Sequence, residues 1–160
     1  MDNIERTKIN KHLLLEFFLV LSRMEFALKA TGFLLGSERG VKPNWDNFAQ
    51  EIRDSFNKEL NLELLKACNY YLNNPPEKQV VIDGSLYWSA LMPNNPSEIE
   101  QLLILVRRVR NNLFHGGKYN RQGSDETARN ESLLRYGITI VKASAALMRN
   151  VDDAYRDAAI

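Results

Sequence analysis

The chain has 160 residues, 44% of them hydrophobic and 26% charged, with a formal net charge of +1 at pH 7. That size and balance predict one globular domain over residues 1–160 and exclude a general nucleic-acid coat, so any nucleic-acid contact must be local. The single cysteine, Cys68, excludes an internal disulfide and favours a reducing compartment, the cytoplasm. The apolar run from Leu13 to Leu21 is interrupted by Glu16, is too short for a membrane span, and lacks the small-residue cleavage site of a secretory signal.

The first predicted helix covers about Ile4–Leu35. Leu13, Phe17, Val20, Leu21, Met24, Ala27 and Leu28 fall on one stripe at helical spacing. Nearly opposite lies a second stripe of Leu15, Leu19, Ser22, Phe26 and Phe33. A helix apolar on two sides needs two burial partners: its own core, and either a further helix or a second copy of the chain. Gly36 and Gly40, with Pro43 after them, mark its end.

A second helix starts at the cap Asn44 and carries Trp45, Phe48, Ile52 and Phe56. A third runs over about Glu59–Leu72, burying Leu60, Leu64, Leu65 and Cys68, and Asn73-Asn74-Pro75-Pro76 stops it. In Gln79–Trp88, Asp83-Gly84 between two β-prone runs predicts a short hairpin. Ser97-Glu98-Ile99-Glu100 is a capping-box pattern opening a fourth helix that ends at His115 before Gly116-Gly117. A fifth begins near Ser124 and runs to about Tyr155, with Leu134, Ile138, Val141, Ala145 and Met148 inward. The expected fold is all-α: an up-and-down bundle of about five helices with a short hairpin or loop inserted before the fourth.

The chemistry concentrates at the end of that fourth helix. No Asp or Glu occurs between Gln101 and Ser124, whereas Arg107, Arg108, Arg110, Lys118 and Arg121 do, with His115 among them. At about 100° per residue, Leu102, Val106, Val109 and Leu113 share the core side, and Arg110 lies only about 40° from Val106. A strip of arginine, asparagine and histidine therefore borders the buried face. A guanidinium matches two phosphate oxygens and stabilises the charge of a pentacovalent phosphorus. An imidazole exchanges protons near neutral pH. Asn111 can hold the imidazole or a phosphate oxygen, and Lys118 and Arg121, with Arg107, can hold neighbouring phosphates of a polyanion. Two other readings of the same residues stand beside this one. A histidine in the last turn of a helix complements its dipole, and Arg110 can pair with Glu25.

Arg110-Asn111-Asn112-Leu113-Phe114-His115 resembles the R-x4-H signature of HEPN domains. Ser22-Arg23-Met24-Glu25-Phe26-Ala27-Leu28-Lys29 is similar to the first helix of small, plasmid-associated bacterial HEPN proteins. The resemblance implies a homodimer whose two motifs meet across the interface. It also implies a metal-independent endoribonuclease of toxin–antitoxin, antiphage or plasmid-linked systems, with a possible antitoxin or regulatory partner and no cofactor. Arg110 and His115 would be the catalytic pair, with Asn111 in support. The implied reaction leaves a 2′,3′-cyclic phosphate and a 5′-hydroxyl. Where one subgroup of the family has a modifiable tyrosine two residues after the histidine, this chain has Gly117. A non-catalytic HEPN-like dimerisation module that binds RNA or a partner protein is the alternative. Two isolated histidines and one cysteine give no metal-ligand spacing, and there is no P-loop or dinucleotide fingerprint. Tyr87 and Trp88 on the predicted hairpin either pack or stack on bases.

Overall fold

The computed structural model describes residues 8–115 and 124–159; of His115, Ser124 and Asp125 it describes the backbone alone. Among the described residues it contains six helices and two antiparallel hairpins, so the chain is mostly helical rather than all-α. The buried apolar side chains of all six helices form one cluster.

Helix α1 spans Lys11–Ala30. Asn10 caps it by accepting a hydrogen bond from the Leu13 amide at 3.1 Å. Its core stripe is buried as the spacing predicts, from Leu13 through Leu28. The helix ends about five residues before the predicted boundary. The Thr31 hydroxyl donates to the Ala27 carbonyl at 2.7 Å, Gly32 takes a φ of +94°, and the Phe33 amide returns to the Leu28 carbonyl. Phe33 is consequently buried against Phe48 rather than exposed on the second stripe.

Beyond Phe33 the chain forms a hairpin where helix had been expected. Strand β1 (Leu34–Ser37) pairs antiparallel with β2 (Gly40–Pro43). Gly36 and Gly40, expected as helix stops, serve this hairpin instead. Both have positive φ, and a Cβ on Gly36 would collide with the Gly40 carbonyl oxygen.

Asn44 caps α2 (Trp45–Ile52), which buries Trp45, Phe48, Ala49 and Ile52. A single 3₁₀ turn at Lys58–Leu60, capped by Asn57, precedes α3 (Leu62–Asn73), capped by Asn61. These two separate caps delay the third helix relative to the predicted start. Leu60 is left exposed, and Leu65 half-buried, where both were expected inside. Tyr71 of α3 is fully buried, and its hydroxyl donates to the Leu133 carbonyl at 2.6 Å.

Strands β3 (Lys78–Ile82) and β4 (Ser85–Ser89) form the predicted hairpin, turning at Asp83-Gly84, both with positive φ. Helix α4 spans Glu98–His115. It opens with a capping box: the Glu100 amide donates to Ser97 Oγ at 3.4 Å and the Ser97 amide donates to the Glu100 carboxylate at 3.2 Å.

The expected fifth helix is two helices. Helix α5 spans Ser124–Ala145 and α6 spans Arg149–Asp157. The break needs neither glycine nor proline. Leu147 and Met148 bond back three residues, Met148 turns extended, and α6 can then bury Val151 and Tyr155. Arg23 of α1 holds α6 in place: it donates to the Arg156 carbonyl at 2.8 Å and lies 5.0 Å over the Tyr155 ring.

Candidate nucleic-acid interface

Helix α4 sends successive arginines in different directions. Arg108 is 9% exposed. Its guanidinium donates to the Leu91 carbonyl at 2.7 Å and to the Pro76 carbonyl at 3.5 Å. One turn later, Asn112 donates to the Glu77 carbonyl at 2.6 Å. Arg129 of α5 donates to the Pro75 carbonyl at 3.1 Å. Side chains from two helices thus take the carbonyls of three consecutive residues at the base of the β3–β4 hairpin. Burial draws the Arg108 pKa below its ordinary value, and the two carbonyl acceptors compensate the buried guanidinium, which acts as a structural clamp. Arg108, counted in the sequence among cations for a ligand, is therefore spent on the fold.

Arg107, Arg110 and Asn111 line a groove of about 750 Å³, and the clamp residues Arg108 and Asn112 line it where the β3–β4 hairpin meets α4. Its floor is α4 with Trp45; α1 contributes Glu25 and Lys29, β2 contributes Lys42, and β3 contributes Lys78 and Gln79. Cations from four elements converge here, and Glu25 is the one acidic residue among the described lining. The described lining holds more cations than anions even though Asp46 and Glu25 pair with Arg107 and Arg110, a balance that favours an anionic ligand.

The groove's two arginines differ in how they are held. Arg107 pairs with Asp46 at 2.9 Å, donates through Nε to the Leu103 carbonyl at 3.2 Å, and lies 5.8 Å over the Trp45 ring. Arg110 makes a single 3.4 Å contact from Nη2 to Glu25 Oε2, and Nη1 donates to Asn111 Oδ1 at 3.2 Å. Its side chain is 39% exposed. Asn111 in this arrangement orients the guanidinium.

His115 is the last residue of α4, and its register position falls on the side of the helix that carries Arg108 and Asn111. Its side chain, and the whole of Lys118 and Arg121, lie outside the described residues. Of the sequence-predicted site, the structure brings Arg107, Arg110 and Asn111 together. Lys29, Lys42 and Lys78 join them without having been singled out as ligands.

The remaining candidates are accounted for by packing or exposure. Cys68 is buried, and burial pushes its thiol pKa up to about 12, which makes it a poor nucleophile. Tyr70 packs against Tyr136 at 5.0 Å. Tyr87 is half-exposed on β4, and His12 is exposed beside Leu15 and Leu19. No group of three potential metal-ligating side chains occurs among the described residues. No helix there is long and apolar enough to cross a membrane.

Comparison of the chain with protein-family models, with curated proteins and with solved structures finds no match.

Proposed function

We propose that the protein is a HEPN-type, metal-independent endoribonuclease that works as a cytoplasmic homodimer, as a toxin or an antiphage or plasmid-linked effector. The observation that carries this reading is the convergence of Lys29, Lys42, Lys78 and Arg107 on the groove where Arg110 and Asn111 of the R-x4-H segment lie. A polyanion is the ligand such a groove suits, and an arginine–histidine pair beside it suits phosphoryl transfer.

In the proposed reaction a His115 imidazole takes the proton from the ribose 2′-hydroxyl. The O2′–P bond forms, the P–O5′ bond breaks, and the leaving oxygen receives a proton from the second His115 of the dimer. Arg110 binds the non-bridging oxygens and stabilises the added charge, and Asn111 keeps its guanidinium in plane. The products are a 2′,3′-cyclic phosphate and a 5′-hydroxyl.

The second copy has a surface to meet. Leu15, Leu19 and Phe26 on α1 are exposed at spacings of four and seven, together with Ser22. This strip adjoins Glu25 on the helix, so a two-fold pairing along it sets two grooves side by side. The test is cleavage of RNA in EDTA. Activity that persists in EDTA and is lost in both Arg110→Ala and His115→Ala supports the reading, and cleavage unchanged in both variants refutes it.

One observation favours a second reading. Arg110 already has partners in Glu25 and Asn111, as it would in a structural helical protein whose Arg110 pairs with Glu25 and whose His115 only caps its helix. That reading predicts neither cleavage nor RNA binding, whereas a non-catalytic HEPN-like module predicts RNA or partner binding in EDTA with no 2′,3′-cyclic product.

A further inference from the structure

We propose that Glu25 is an exchangeable counter-ion: its carboxylate holds Arg110 until an RNA phosphodiester takes its place, and the exchange sets the affinity of the groove. This rests on the reading of the groove as an RNA site.

Three features point to exchange rather than to a fixed support. The contact is a single 3.4 Å pair, so the fork of the guanidinium is not matched by both carboxylate oxygens. Both side chains reach solvent, Arg110 being 39% and Glu25 23% exposed, so the pair is weak and screened; the Arg107–Asp46 pair is exposed as well, and what fixes Arg107 is its further contacts. Arg107, three residues away on the same helix, shows what a fixed arginine looks like here. It has a 2.9 Å carboxylate, a carbonyl acceptor and an aromatic platform.

The electrostatics also require it. Glu25 is the one acidic residue of a described lining whose other charged residues are lysines and arginines. A phosphate bound at Arg110 with Glu25 unmoved would face a carboxylate a few ångströms away. A phosphodiester offers Arg110 two oxygens where Glu25 offers one, and Lys29, one turn further along α1, attracts the same phosphate. Weak anions that cannot displace the carboxylate are therefore excluded, and Glu25 becomes a residue that selects for phosphate.

The experiment measures fluorescence anisotropy of a labelled, uncleavable 2′-O-methyl RNA of about 12 nucleotides in EDTA, across a salt series. The probe spans a site of the size single-strand binders use. Wild type is compared with Glu25→Gln, Glu25→Ser, Arg110→Ala and the Glu25→Gln/Arg110→Ala double variant, each checked for folding by thermal melting. Glu25→Gln is expected to bind about 1.5- to fivefold more tightly at low salt, the ratio to which an exposed ion pair's energy corresponds. The gain is expected to vanish in the Arg110→Ala background. Glu25→Ser guards against a special effect of the amide and should show the same sign.

Wild-type protein that binds no RNA overturns the groove reading and this proposal together. Wild-type binding with equal or weaker binding by both Glu25 variants overturns the exchange alone and makes Glu25 a fixed support for Arg110. A gain that persists undiminished without Arg110 also overturns it, in favour of diffuse repulsion by the carboxylate.

Discussion

Arg108 and Arg110 are two residues apart and have opposite fates. Arg108 is buried and bonded to backbone carbonyls, whereas Arg110 stands at the groove with one loose carboxylate contact. The difference comes from helix geometry: two residues rotate the side chain by about 200°. One turns towards the β3–β4 hairpin and the other towards α1. A cluster of basic residues in a sequence is therefore not one functional object. Part of it holds the wall of the groove, and part faces whatever the groove binds.

The contrast can be broken most severely in activity. If the proposed reaction is right, Arg110→Ala and His115→Ala each reduce RNA cleavage by about a hundredfold or more, measured by gel assay in EDTA. Arg110→Ala should cost less than about 1 kcal/mol of stability, because its ion pair is exposed. The opposite profile is expected of Arg108→Ala. Removing a buried donor from the Pro76 and Leu91 carbonyls should cost about 2–4 kcal/mol in urea denaturation, with any activity lost through the hairpin's position. Equal stability losses for the two arginines would erase the distinction.

A smaller effect sharpens the comparison from the core side. A Cβ at Gly137 would sit 2.6 Å from the Tyr71 hydroxyl and 2.9 Å from a Phe17 ring carbon. Gly137→Ala should therefore cost about 1–3 kcal/mol, read in the same denaturation assay, and should leave the proposed RNA cleavage unchanged once the protein is folded. If two copies pair along α1 as proposed, replacing Leu19 and Phe26 by Glu should leave a monomer on light scattering without lowering its stability, because both side chains are already exposed.

A last expected effect is a pH dependence confined to alkaline solution. The Cys68 thiol has its pKa raised by burial from 9.0 to about 12. A raised pKa means that the folded state favours the protonated thiol. Its contribution to stability is complete below about pH 9 and is lost as pH climbs from there towards 12. The difference in stability between wild type and Cys68→Ala should shrink over that window.

Locally encoded features were legible. The Ser97-to-Glu100 capping box, the Asn44 cap and the Asp83-Gly84 turn each depend on residues within a few positions of one another, and each forms. The β1–β2 hairpin was not legible because a glycine that ends a helix and one that admits a close backbone crossing read alike, and Leu34 and Leu35 continued an apolar pattern. The break between α5 and α6 carries no local mark at all. It is decided by the burial of Val151 and Tyr155. At the candidate site, Arg107, Arg110 and Asn111 could be placed together because they share a helix, and Glu25 was visible as a possible partner of Arg110. Asp46, 61 positions from Arg107, and the lysines of α1, β2 and β3 meet α4 through the tertiary fold alone.

The carbonyl run at Pro75, Pro76 and Glu77 has a mechanical consequence. Two prolines supply no amide hydrogen to a sheet, yet their oxygens are bolted to two different helices by Arg129 and Arg108, with Asn112 adding a third fastening. The base of the hairpin is thereby tied to α4 and α5, and the hairpin and α4 are expected to move as one part. Adaptation to differently shaped guests falls to long lysine side chains swinging from a stiff frame, so guests of different shape should leave the backbone trace on this side of the molecule superimposable.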